Sequence, residues 1–189
     1  MTGGRCLFDD GLPSHEQLPR RFAVNFTEIP GDPIHRVTME FNGHQLGDPV
    51  SDNSYVPDDY RFHDVFHLSY AAILGWSPVV RKLLGVRRTS QPMVFEVEDS
   101  SRATSMEEAV SILAFDFGRQ NRFFFNATSI PADLLFLIRK LTGAFEVNNR
   151  LDEEWSRAIL DGFGVWRRLC QRRGGVVIGD LRESLIKCE

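Results

Sequence analysis

Two hydrophobic rhythms divide the chain. Over residues 21–29, RFAVNFTEI, apolar and polar positions alternate, so that Phe22, Val24 and Phe26 share one face. Residues 34–41, IHRVTMEF, alternate again and run into Asn42-Gly43, a strong turn dipeptide. This pattern predicts a short β-hairpin over 21–45. Residues 45–59 are rich in Gly, Pro, Asp and Asn and read as loop.

From there the period changes to that of helices. Residues 60–74, YRFHDVFHLSYAAIL, are apolar nearly all round, which predicts a buried helix capped by Asp58 or Asp59. Gly75 ends it, and Ser77-Pro78 starts a short helix over 78–84 with Ser77 as N-cap. A long helix is expected over most of 94–117, with 100–105 as its weak point. Residues 121–128 hold three successive phenylalanines and read as a turn or short buried strand. Helices follow over 131–142, opened by Ser129 and closed by Gly143, and over 151–173, with Ile159, Phe163 and Trp166 on the buried stripe. Gly162 and Gly164 weaken the middle of that last helix by about 1 kcal/mol each. Gly174-Gly175 stops it, 176–178 returns as a strand, and Asp180 is placed to cap a final short helix. The expected architecture is mainly α: an arm over 1–20, then one domain over 21–189. That domain divides into a hairpin (21–45), a helical core (58–173) and a C-terminal segment (174–189), with a small sheet near the termini.

Composition narrows the function classes. A chain of 189 residues, 42% hydrophobic, has material for one real core. Its net charge of −4 gives no electrostatic reason to expect direct nucleic-acid binding. Cys6, Cys170 and Cys188 are widely spaced and read as reduced thiols. The N-terminus has no apolar signal region and no stretch reaches about 18 apolar residues, so neither a signal peptide nor a membrane span is expected, and the expected address is cytoplasmic.

On a helix, His63, Asp64 and His67 fall within about a third of the circumference. Buried imidazole and carboxylate groups need partners, either a cation or hydrogen bonds. The next long helix offers Glu98, Asp99, Glu107, Glu108 and Asp116. If it is continuous, Glu98, Arg102, Ser105, Ala109 and Asp116 share a face, Glu108 lies within about 80° of it, and Glu107 points away. Facing carboxylates favour a divalent cation between them, Mg²⁺ or, given the histidines, Mn²⁺. The competing reading makes Glu107 and Glu108 capping-box residues, since Thr104 and Ser105 stand three positions before them, and makes the histidines core residues bonded to backbone or to Asp64. Lys82, Arg88 and Arg102 are candidate phosphate-binding cations, against a reading as solvated surface charge. The glycine-rich run over 174–179 lacks a P-loop lysine or a GxGxxG fingerprint.

NGHQLGDPVSDNSY, DDYRFHDVFHLSYAAILGWSPVVRKLL, the EVED–R–EEA–FDF segment and ILDGFGVWRRL–GGVVIGDL resemble C-terminal-type MazG domains of the all-α nucleotide pyrophosphohydrolase superfamily, over roughly residues 36–185. The resemblance implies an all-α helical bundle that splits a nucleoside triphosphate into monophosphate and pyrophosphate. It also implies Mg²⁺ on acidic residues of a helix pair, and a homodimer or higher homo-oligomer. The chain departs from the superfamily's EExxE-then-ExxD order: Glu107-Glu108-Ala109-Val110 is followed by Ser111 rather than a third glutamate, and Asp64-x-x-His67 stands upstream. The ligand set expected from both lines is His63, Asp64, His67, Glu98 and Glu108, with Glu107 as general base and Asp64 and Glu108 shared with catalysis. Two alternatives stay open. One is an HD-type phosphohydrolase built on His63-Asp64 with His44 and Asp116. The other is a catalytically eroded nucleotide-binding or regulatory subunit.

Overall fold

The alternating segments pair as their pattern predicts, and they recruit more chain than the pattern suggests. In the computed structural model, which describes residues 6–189, β1 (Arg21–Glu28) lies at the centre of a five-stranded antiparallel sheet of order β3-β2-β1-β4-β5. On one side β1 pairs with β2 (Val37–Phe41), and on the other with β4 (Gly174–Asp180), so Val24 stands between Phe41 and Val177. The sheet therefore joins the two ends of the chain, as expected, but is not confined to them. β3 (His44–Val50) occupies residues read as loop. Asn42 and Gly43 take φ of 50° and 78° and reverse the chain. The strand they return tolerates Gly47 and Pro49 because it lies at the sheet edge, where a missing N–H leaves no neighbour unpaired.

A second correction concerns the C-terminus. Asp180 caps no helix: its Oδ1 accepts from the backbone N–H groups of Arg182 and Glu183, closing a turn into β5 (Leu185–Cys188).

One face of the sheet buries Phe22, Val24 and Phe26 against the helices. Residues 60–74 are helical throughout but not uniform. A 3-10 turn (Tyr60–Phe62) leads into α1 (Asp64–Ser69), which continues as a π-helical turn (Tyr70–Leu74) until Gly75, at φ 68°, ends it. This stretch packs on α6 (Asp152–Arg172). Gly162 is the reason it fits: a Cβ there would stand 3.0 Å from Cδ1 of Phe66. The helix-propensity cost of that glycine is offset by the close packing, which also brings Ser69 Oγ to donate to the Ala158 carbonyl at 2.6 Å.

α2 (Pro78–Leu84) begins as read, with Ser77 Oγ accepting from Val80 N at 3.0 Å. The long helix expected over 94–117 is two helices, α3 (Pro92–Glu98) and α4 (Ser101–Gln120), because Asp99 and Ser100 leave helical geometry. Glu107 and Glu108 consequently sit well inside α4 rather than at a capping box. The phenylalanine run forms a 3-10 turn (Arg122–Phe124), followed by α5 (Ala132–Thr142). Leu7 and Leu18, from the N-terminal segment, are buried in the same core. Asp9 pins that segment by accepting from Leu18 N and Arg81 Nη2, each at 2.7 Å.

Candidate functional site

α1 and α4 pack together beside the start of α2, and the polar side chains of all three meet there. His67 is at the centre, 1% exposed. Its Nδ1 lies 2.8 Å from Oε1 of Glu107, a carboxylate sealed completely from solvent. Glu107 also accepts from Ser77 Oγ at 2.6 Å and from Val79 N at 2.8 Å, so it satisfies the opening turn of α2 while it orients the imidazole. The other ring nitrogen, Nε2, lies 3.3 Å from Oε2 of Glu108, out of line for a hydrogen bond, and is buried without a hydrogen-bond partner.

His63 precedes His67 by one turn. Its Nδ1 stands 3.0 Å from the Tyr60 carbonyl. A carbonyl only accepts, so this nitrogen carries the proton and Nε2 is left facing outward. The ring stacks on Tyr60 with centroids 4.2 Å apart. One donor atom each from His63, His67 and Glu108 lies within 4.8 Å of the other two. That spacing, with two imidazoles and a carboxylate converging, fits the donor set of a metal ion.

The electrostatics follow from the packing. Burial alone lowers the pKa of His67, but the charges of Glu107 and Glu108 outweigh it and push the ring up to about 10. Glu108, with 44% of its side chain exposed, is held below the ordinary carboxylate range by His67 against the opposing effect of burial. His63 goes the other way: burial holds it below its usual value despite the pull of Asp64.

Two of the three, His63 and Glu108, line a cleft of about 400 Å³ together with Asp64, Lys82, Thr104 and Ser105 among others, while His67 stays buried. Asp64 carries its Oδ1 3.8 Å from His63 Nε2. The structure thus brings together His63, Asp64, His67, Glu108 and Lys82 of the expected set.

The others are elsewhere or do something else. Glu107, expected to point away and to act as general base, points inward and is fully occupied by three donors. Glu98 is not a ligand: the break at Asp99 turns it into another buried cluster, where it accepts from Glu146 N at 2.9 Å and faces Trp76 Nε1 at 3.4 Å. Arg88 holds no free face for phosphate, since it is 1% exposed and forks onto Asp99, with Nη2 to Oδ1 at 2.7 Å, while reaching Glu146. Arg102 is exposed in the first turn of α4 and does not line the cleft. His44 sits in the β2–β3 hairpin, where it pairs with Phe41, and Asp116 pairs with Arg119 on an exposed stretch of α4, so the HD-type constellation does not assemble. Tyr60 and Ser77 were not foreseen as site residues. Their roles, a carbonyl acceptor and a hydroxyl donor, carry no side-chain signature that spacing reveals.

The profile of a family described as the MazG C-terminal domain matches residues 4–189. No curated protein and no solved structure matches the chain. Among the described residues no helix is long and apolar enough to cross a membrane.

Proposed function

The chain belongs to the MazG C-terminal domain family, and on that premise we propose that it is a metal-dependent nucleotide pyrophosphohydrolase working in the cleft between α1 and α4. The observation that carries this reading is the convergence of His63, His67 and Glu108 beside a cleft whose lining includes His63 and Glu108 together with a carboxylate, Asp64, and a cation, Lys82. His63, His67 and Glu108 would hold a divalent ion; the family resemblance implies Mg²⁺ or Mn²⁺, and two imidazoles among the donors favour an ion that accepts nitrogen. When bound, such an ion neutralises phosphate charge and makes water a better nucleophile.

The chain's own groups then divide the work. Lys82 receives the polyphosphate and offsets its charge. Asp64 orients a water and takes its proton as the water oxygen bonds to the α-phosphorus. The bond from that phosphorus to the bridging oxygen breaks, and the bridging oxygen leaves with pyrophosphate. Glu107 takes no proton, because its oxygens are committed to His67, Ser77 and Val79. It keeps the imidazole in place. Self-association fits this reading too: Ile112 on α4 and Phe136 and Leu137 on α5 are exposed apolar residues on packed helices.

The test is to incubate the protein with a panel of NTPs and dNTPs, with Mg²⁺ or Mn²⁺, and to identify products. Matched monophosphate and pyrophosphate, lost in D64A, is the expected result. Orthophosphate as the first product would overturn the α–β assignment. Ligand-induced stabilisation with no product would favour a binding or regulatory role.

A further inference from the structure

We infer that the His63–His67–Glu108 centre is a nitrogen-selecting site for one borderline transition-metal ion of the zinc class, rather than a Mg²⁺ site. The inference rests on the reading of this cluster as a metal centre, and it concerns which ion the residues select.

Each ring has already committed one nitrogen. His63 gives its Nδ1 proton to the Tyr60 carbonyl at 3.0 Å, and His67 gives its Nδ1 proton to Glu107 at 2.8 Å. Each ring then has only Nε2 to offer an ion, and at His67 the ion would take the place of the proton that Nε2 turns toward Glu108. Metal-binding histidines are characteristically held this way, with the far nitrogen bonded to a carboxylate or a backbone carbonyl, so that ring orientation is set before the ion arrives. Here the cluster shows one of each. Glu107 is itself immobilised by Ser77 Oγ and Val79 N, and Tyr60 stacks face to face on His63. The His67 Nε2 atom is buried with no hydrogen bond of its own and lies 3.3 Å from Glu108. The contact with Glu108 is poorly aligned for a hydrogen bond, and a cation between the two would engage both donor atoms at once.

The chain arrangement points the same way. His63 and His67 are four apart on one helical face with a carboxylate, Asp64, directly after the first. A helix that binds zinc through two histidines at that spacing, with an acid at the second position serving as base, has this form. The third protein ligand, Glu108, comes from another helix and lines the cleft, from which water or substrate would supply a fourth. Three protein ligands and one open position describe a catalytic zinc-type site. Mg²⁺ has different demands: an all-oxygen, near-octahedral shell and several retained waters. Two imidazoles committed to nitrogen coordination suit Zn²⁺, Co²⁺ or Fe²⁺ instead.

The experiment uses the whole chain, stripped with a chelator and dialysed. Co²⁺ is added as a spectroscopic probe and Zn²⁺ as competitor, with metal content measured alongside. The expected result is one Co²⁺ per chain with a visible d–d band, displaced by equimolar Zn²⁺ and unmoved by a thousandfold excess of Mg²⁺. H63A and E108Q, both at partly exposed positions, should each weaken binding about 100-fold or more. E107Q should weaken it by about 10- to 100-fold without removing a ligand. Absence of a Co²⁺ band, displacement by Mg²⁺, or unchanged affinity in H63A would overturn the inference. The two readings fail separately. Tight Co²⁺ or Zn²⁺ binding with no nucleotide hydrolysis would sink the proposed activity and leave the metal assignment standing. Hydrolysis supported by Mg²⁺ alone would do the reverse.

Discussion

The molecule contains two buried charge clusters made from similar residues, and they are built to opposite ends. In the first, Arg81 and Arg88 meet Asp9, Asp99 and Glu146, and every charge faces a partner: Arg81 Nη2 to Asp9 and Arg88 Nη2 to Asp99 are both 2.7 Å. Backbone groups take up much of what remains, with Arg81 donating to the carbonyls of Glu16 and Val86. In the second, His67 lies between Glu107 and Glu108, and Glu108, with 44% of its side chain exposed, faces the cleft. A closed network ties the N-terminal segment, α2, α3 and the loop before α6 together. An open one leaves coordination capacity pointing at solvent. The difference separates architecture from chemistry better than residue type does, since Arg88 and Glu98 were expected at the site and belong to the closed cluster or its edge.

The two clusters should differ most in what they contribute to stability. D99A removes the carboxylate that Arg88 grips and leaves two guanidiniums buried near each other, where burial and Arg88 already hold Arg81 below its usual pKa. Breaking such a pair costs about 3–5 kcal/mol. Urea unfolding should show most of that loss, whereas E108Q should shift stability by less than about 1 kcal/mol. Equal losses in the two variants would erase the distinction.

A smaller effect comes from pH. Burial pushes the Glu146 carboxyl up to about 7, with Glu98 adding to the rise and Arg88 opposing it. Between its ordinary value of 4.5 and about 7, the native state holds a proton that the unfolded chain has released. The Glu146 contribution to stability must therefore fall as pH rises through that window, and the raised pKa of His67 continues the decline between its ordinary 6.5 and about 10. The urea midpoint is expected to drop between pH 5 and pH 8, and E146Q should flatten that slope. A slope unchanged in E146Q would place the titration on another group.

The smallest contrast lies on the surface. K82A, on the cleft rim, should raise KM for a triphosphate several-fold, while R102A, exposed and outside the cleft, should leave KM and kcat as they were. A KM change in R102A instead would mean that the phosphates lie toward the start of α4.

How much of this was legible in the sequence follows the range of the forces involved. Short-range signals were enough for β1 and β2, for the Gly75 and Ser77-Pro78 punctuation, and for α5 and α6, because each rests on periodicity or capping within a few residues. β3 was missed because Gly47 and Pro49 are tolerated only at an edge, and the edge is a property of the finished sheet. At the site, the spacing of His63, Asp64 and His67 announced a cluster from within one helix. Which glutamate faced it depended on where α4 begins. Treating α3 and α4 as one helix turned Glu107 outward and brought Glu98 in; the break at Asp99 reverses both. Nothing local could show that Glu107 would be consumed by Ser77 and Val79, since those donors arrive from α2 through tertiary packing.

The most direct test is steady-state hydrolysis of a nucleoside triphosphate by E108Q, with thermal melting of the same samples. Glu108 is half-exposed and tied to nothing but the centre, so its loss should spare the fold and remove the activity. The account predicts a fall in kcat/KM of about 100-fold or more with a melting temperature within a few degrees of the parent. Parent-level turnover in a folded E108Q protein would show that the chemistry is done elsewhere, and the cleft between α1 and α4 would lose its claim to be the active site.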